Sequence, residues 1–267
     1  IESPRERLIA LLTNNVVPCN GRFPTLIALA AIFLGGPAAS AAGGAVAALA
    51  VTGLVLLGIA ATLIVSRLLS GTLLKGEPSS LILELPPYRL PQVGLVIYRS
   101  IIDRTVFVLM RAAAVAAPAG AVIWLLGNLH IGKLSLIGHL AGWLHPLGRA
   151  IGLDGFILLA FILGFPANEI VLPILIMSYL SAGQMLEFKS LEELRSLLVG
   201  NGWTPLTALN TMLFSLLHWP CATTMLTVYR ETGKKKWTLL AFAIPTAVAL
   251  AVCFLTARCA QLLGLAS

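Results

Sequence analysis

Four stretches of this chain contain no Asp, Glu, Lys or Arg: Phe23 to Ser66, Ala112 to Gly132, Ser196 to Tyr229 and Trp237 to Ala257. A helix needs about 20 apolar residues to cross a hydrocarbon core about 30 Å thick, so each stretch has room for at least one span. Of 267 residues, 58% are apolar and only 11% are charged, where a soluble domain carries about 25% charged. A soluble globular domain and a disordered chain are therefore excluded. Cys19, Cys221, Cys253 and Cys259 are widely spread and show neither a disulfide framework nor paired zinc spacing. The expected fold is all-α, a polytopic membrane protein of about six to eight helices, some of them discontinuous.

The net charge of +7 fits Lys and Arg gathering in cytoplasmic loops. The basic residues are dispersed and lack interleaved aromatics, so no nucleic acid is expected as a partner. The segment Ile1-Glu2-Ser3-Pro4-Arg5-Glu6-Arg7 reads as a charged loop rather than a signal peptide. It leads us to expect that the chain begins partway through a longer architecture. No G-x-x-x-x-G-K-[ST] phosphate loop occurs, so no bound nucleotide and no nucleotide hydrolysis are expected on these residues.

Proline and glycine then divide the apolar stretches. Leu8 to Gly35 is interrupted by Pro18-Cys19-Asn20-Gly21-Arg22-Phe23-Pro24. Proline removes a backbone donor and clashes with the preceding turn, and backbone freed at membrane depth must be buried in protein or line a wet cavity. Gly43 to Leu69 reads as an uninterrupted span. Ser70 to Gln92 is a polar connection holding Leu85-Pro86-Pro87-Tyr88-Arg89-Leu90-Pro91, stiff and extended. Val96 to Gly127 reads as one long helix, and Leu134 to Leu147 as a short helix or a re-entrant piece. Gly155 to Leu180 is broken at Gly164-Phe165-Pro166-Ala167-Asn168-Glu169. A surface helix is expected over Gln184 to Leu198. Thr204 to Val228 is broken at His218-Trp219-Pro220-Cys221, and Trp237 to Leu263 is the last span. Val17-Pro18-Cys19 and Trp219-Pro220-Cys221 echo each other near the two ends, and paired broken segments point to a transporter's midplane site. The basic loop Arg230 to Lys236 should be cytoplasmic, as should Arg67 to Arg104. That parity holds if Leu134–Leu147 crosses, or if one broken segment is re-entrant.

The candidate ligands sit at these breaks. Cys19 and Cys221 each follow a helix-breaking proline, and sulfur beside freed carbonyl oxygens suits a borderline ion such as Fe²⁺ better than Mg²⁺ or Ca²⁺. Glu169 is an intramembrane carboxylate, which marks an ion or proton path unless it is a structural partner of Arg111 or Arg22. Asn168 offers a neutral oxygen, and His218 an imidazole. Arg104 is expected to snorkel to the interface. Arg111, one helical face along from it, is a candidate counter-charge for Glu169. Arg22, between two prolines, is expected to cap exposed carbonyls. Pro18, Pro24, Pro166 and Pro220 are the expected hinges.

Taken in order, the four motifs Val17–Pro24, Leu85–Pro91, Gly164–Val171 and His218–Cys221, the last followed by Thr223-Thr224, resemble the membrane portion of the ferrous iron transport protein B family, from about Arg5 to about Pro245. The resemblance implies a partly inverted-repeat gate architecture. Residues 1–69 would be the C-terminal part of a first gate repeat, 70–95 a Pro-rich connecting loop, and 96–267 the second gate repeat and last helices. It further implies Fe(II) as transported substrate, with Cys19 and Cys221 matching the family's motif cysteines and Glu169 the acidic residue of the second repeat. The location implied is a multi-pass place in a bacterial-type inner membrane, in contact with lipid. The family's GTP-binding domain is expected on a separate chain rather than here, so the chain itself is not expected to be an enzyme. Identical subunits are a further expected partner. The competing readings are a nucleoside or other solute permease, and a non-transporting membrane subunit of a split system.

Overall fold

The computed structural model describes residues 3–36, 41–74, 92–132, 134–180 and 190–264. The Pro-rich motif at 85–91 lies outside them, as do Glu187 and Lys189. Helix α1, Pro4–Thr13, starts where Ser3 accepts the Glu6 backbone N–H at 3.4 Å and Pro4 supplies a preset first turn. A 3-10 turn at Asn14–Val16 and an irregular stretch through Gly21 separate it from α2, Phe23–Phe33. Pro18 cannot donate the bond that would carry α1 onward. Helix α3, Ala41–Gly71, follows unbroken.

A helical run then spans α4, Val93–Arg99, a π-helical stretch at Ser100–Val106 and α5, Phe107–Asn128. The long helix expected over Val96–Gly127 is thus interrupted in its hydrogen-bond pattern at Asp103 and Arg104. A two-strand turn pairs His130–Ile131 with Leu134–Ser135. Helix α6, Leu136–Ala150, leads to α7, Gly155–Leu163, with a bend of 110° between them. Of the segment Leu134–Leu147, Leu134–Ser135 is strand and the rest is helical, bent sharply against its successor. Close approach makes the bend, since a Cβ built on Gly155 would lie 1.9 Å from the Ala141 carbonyl oxygen of α6. Asp154 caps α7 by accepting the Ile157 N–H at 2.6 Å.

Past Gly164–Ala167, a 3-10 turn at Asn168–Ile170 leads into α8, Val171–Leu180. Helix α9, Leu191–Gly200, is capped by Ser190 and overlaps the surface helix expected over Gln184–Leu198, running two residues past its end. Helix α10, Pro205–Leu217, ends at His218, and α11, Ala222–Thr232, begins after Cys221. Gly233, at φ +63°, makes the left-handed turn into α12, Lys235–Leu262.

Helices α3 and α12 are each long and apolar enough to cross a membrane, and α6 with α7 would make one bent span. Their outer faces carry exposed Leu49, Leu63, Leu239 and Leu255. In lipid such exposure costs nothing, and helices associate by close packing instead. The packed centre is α2, α7, α8 and α10, where Leu26, Leu29, Ile157, Phe161, Ile174, Phe214 and Leu216 are buried. Phe161 meets Phe214 edge-on at 4.9 Å.

Cross-links order the two ends of the bundle. At one end Arg5 donates to the Leu74 carbonyl and to Ser70 Oγ, and Arg7 pairs with Glu231 at 2.5 Å. The start of α1, the end of α3 and the α11–α12 turn therefore lie together. At the other end Phe33 stacks on Trp203 at 5.9 Å, and Leu34, Pro205 and Leu263 line one groove. The broken pair α1–α2 consequently runs from the first end to the second, and the broken pair α10–α11 runs back.

Candidate functional site

The three breaks meet. The Ala222 N–H, at the start of α11, donates to the Phe165 carbonyl in the α7–α8 break at 2.9 Å. Asn15, just before the α1–α2 break, donates its side-chain amide to the His218 carbonyl at 2.7 Å. Backbone carbonyls exposed beside Pro166 and Pro220 thus find partners in another break, as backbone at membrane depth must. Gly58 lets α3 close over this junction, since a Cβ there would stand 2.8 Å from the Val16 carbonyl oxygen.

Arg22 is the hub. Its side chain is only 1% exposed. Nη1 donates to the carbonyls of Asn15 at 2.8 Å and Leu216 at 2.7 Å. Nη2 donates to the carbonyls of His218 and Trp219, both at 3.1 Å, and to Asn15 Oδ1 at 3.3 Å. The last carbonyls of a helix carry its negative dipole end, so the end of α10 favours a cation here. Among the described residues no carboxylate lies within ion-pairing distance of Arg22; Glu169 is not its partner. The guanidinium does lie within Coulombic reach of both Cys19 and Cys221.

Around this hub the remaining candidates take different positions. Cys19 is exposed, and the Asn168 amide nitrogen donates to its Sγ at 3.8 Å. Asn168 itself is 6% exposed, and its Oδ1 has no hydrogen-bond partner. Glu169 is exposed, with its carboxyl resting on Gly21, whose added Cβ would meet Cδ and Oε1 at 2.7 Å. Cys221 is half-buried at the N-cap of α11, with the Thr223 and Thr224 hydroxyls 3.1 and 3.3 Å from Sγ. His218 is enclosed rather than presented. Its Nδ1–H donates to the Phe214 and Ser215 carbonyls, and the ring sits among Phe161, Phe214 and Trp219. Its Nε2 is buried without a partner. Pro24 opens α2. The side chain of Arg111 lies outside the described residues, though its backbone belongs to α5.

No three His, Cys, Asp or Glu side chains among the described residues stand close enough to form a ready metal cage. The junction instead offers scattered donors: one thiol beside an amide, one carboxylate across a glycine, and one thiol at a helix start. Sequence reasoning missed Asn15, Gly21 and Gly58, all of which shape this place. It also missed a cavity of about 440 Å³ toward the Trp203 end. There Trp203 Nε1 donates to Tyr179 Oη at 2.8 Å, and Tyr179 donates to Asp154.

Gly21 gives a direct test of the Glu169 position. Gly21→Ala should leave melting within about 0.5 kcal/mol, because a flexible carboxyl can swing aside, while iron uptake falls because the charge has moved. Unchanged uptake would show that the placement of Glu169 does not matter.

Comparison with known proteins follows the same lines. Residues 51–103 match the family described as Ferrous iron transport protein B C terminus, and residues 109–235 match the Gate family described as Nucleoside recognition. The chain is 29% identical to the Fe(2+) transporter FeoB of Staphylococcus aureus (strain COL) over 265 residues, 96% of this chain and 37% of that protein. It is 26% identical to the Fe(2+) transporter FeoB of Methanocaldococcus jannaschii over 255 residues, covering 90% of this chain and 35% of the relative. The Fe(2+) transport protein A/Fe(2+) transporter FeoB fusion protein of Porphyromonas gingivalis is 26% identical over 305 residues, 97% of this chain and 35% of its own length. No solved structure matches. The chain spans little more than a third of the length of these relatives. With its ordered motifs, its all-α membrane fold and these matches, the chain is similar throughout to the C-terminal membrane part of ferrous iron transport protein B.

Proposed function

We propose that this chain is the membrane permease part of a ferrous iron uptake system, and that Fe(II) passes through the junction of the three breaks. The observation that carries this reading is the convergence itself, which brings Cys19, Asn168 and Glu169 to one place with Cys221 at an adjoining helix start. Thiolate, amide oxygen and carboxylate together suit a borderline divalent ion. Few ligands and partial hydration let the ion leave again, which a closed cage would prevent. His218 Nε2 and Asn168 Oδ1, both without partners, become ligands if the breaks move, with Pro18, Pro24, Pro166 and Pro220 as hinges. In this reading residues 1–69 are the C-terminal part of a first gate repeat, 70–95 the connecting loop, and 96–267 the second gate repeat and last membrane helices. The end holding Arg5, Arg7, Arg230 and Lys234–Lys236 faces the cytoplasm of an inner membrane, by the excess of basic residues there. A GTP-binding domain on the cytoplasmic side drives the movement.

Uptake of radioactive Fe(II) into proteoliposomes, with the GTP-binding domain supplied, tests this. Competition by unlabelled Fe(II) but not by nucleosides is expected. Competition by nucleosides would favour the reading that the Gate family's description raises, and no flux at all would favour a purely assembling subunit. In the same assay Glu169→Gln should melt as the parent does, because the side chain is exposed, yet lose uptake, because the compensating charge is gone. Lower melting, restored by adding Arg111→Gln, would mean instead that Glu169 holds a structural pair, since stranding one partner of a buried pair costs about 3–5 kcal/mol.

A further inference from the structure

The Arg22 guanidinium is a buried cation held by four backbone carbonyls and one amide oxygen, with no carboxylate partner among the described residues. Those acceptors come from both ends of the chain: Asn15 precedes the first break, and Leu216, His218 and Trp219 bracket the start of the third. If carbonyl capping were the whole purpose, neutral donors would serve, without the cost of burying a charge at membrane depth. The charge sits where the breaks meet, within Coulombic reach of both candidate thiols. We propose that Arg22 is a fixed-charge barrier that keeps protons and monovalent cations from leaking through the junction while iron is not passing.

Such a barrier discriminates between ions. A fixed positive charge in a narrow pore raises the barrier for every cation. Sulfur coordination at Cys19 and Cys221 compensates a borderline divalent ion for that repulsion, and gives little to Na⁺, K⁺ or a hydrated proton. The fork of the guanidinium, anchored at 2.7–3.3 Å on residues from two breaks, prevents the charge from swinging aside with a passing ion. The inference rests on the junction being the ion path.

Potassium and proton leak into proteoliposomes holding the full chain, with no iron present, provides the test. Wild type and Arg22→Lys, which keeps the charge, should be tight. Arg22→Gln should leak at least about tenfold faster, as should Asn15→Asp, which keeps Arg22 but sets a carboxylate against Nη2. Leak from Arg22→Lys equal to that from Arg22→Gln would overturn the proposal, because the hydrogen-bonded fork and not the charge would then be the seal. Tight vesicles with folded Asn15→Asp would overturn it as well, and that arm decides alone if Arg22→Gln does not reconstitute. Iron uptake is scored separately on the wild-type vesicles. Leak that follows charge without any wild-type iron flux would remove iron as the substrate and leave the barrier standing. Iron flux with leak insensitive to charge would do the reverse.

Discussion

Iron uptake by a chain carrying Cys19→Ser together with Cys221→Ser is expected to fall at least about tenfold, the lower end of what lost metal contacts usually cost, with melting unchanged. The stability half of this expectation comes from where the two thiols sit. Cys19 is exposed and takes one long contact from Asn168, so serine there disturbs no packing. Cys221 occupies the N-cap of α11, and serine is among the best N-cap residues. The flux half comes from the ligand: a hydroxyl is harder than a thiolate and neutral, and it holds Fe(II) poorly. Two further cysteines serve as controls. Cys259 faces an apolar groove near the end of α12, and Cys253 is buried with its thiol donating to the Asn210 carbonyl at 3.5 Å. Alanine at either position should leave uptake intact, with a stability loss of about 1 kcal/mol confined to the buried site. Loss of uptake from those two variants, with normal expression, would place the path in α12 instead.

The largest loss of stability is expected from Gly155→Ala. The added Cβ would stand 1.9 Å from the Ala141 carbonyl oxygen and 2.9 Å from the His145 nitrogen, both backbone atoms of α6. No rotamer change relieves a clash with backbone, so α6 must move off α7. Overpacking usually costs about 1–3 kcal/mol and occasionally more, and the upper end is expected here. Because α7 carries the Gly164–Ala167 break, uptake should fall along with melting. Gly53→Ala on α3 is the matched comparison: nothing lies within 4 Å of its added Cβ, so helix propensity favours the variant by up to about 1 kcal/mol. Equal melting of the two variants, read in detergent, would show that the tight α6–α7 crossing is not a determinant of the fold.

The charge-free stretches and the proline motifs made the helices and their breaks legible, because hydropathy and missing backbone donors act locally. The 110° fold-back of α6 on α7 was not legible. Its cause is the contact between Gly155 and Ala141, which no periodicity records. The same limit applies to the site. Pro18-Cys19 and Pro220-Cys221 stand out as motifs, yet the carbonyls that hold Arg22 come from residues 194 to 197 positions away as well as from nearby Asn15. Gly21 reads as one breaker in the Pro18–Pro24 motif and Gly58 as an ordinary small residue in apolar sequence, although one supports the Glu169 carboxyl and the other seats α3 on the junction. The meeting of the α1 start, the α3 end and the α11–α12 turn likewise depends on tertiary contacts, those of Arg5 with Leu74 and Arg7 with Glu231. The chain of Asp154, Tyr179 and Trp203 spans three separate segments, and only folding reveals it.

The central claim is that iron meets sulfur at the junction of the breaks. X-ray absorption at the iron edge tests it most directly, on the purified chain equilibrated with Fe(II) under reducing conditions. Sulfur scattering in the first coordination shell of wild type is expected, replaced by oxygen and nitrogen alone in the Cys19→Ser, Cys221→Ser double variant. A wild-type shell of oxygen and nitrogen only, or a sulfur signal that survives in the double variant, would contradict it.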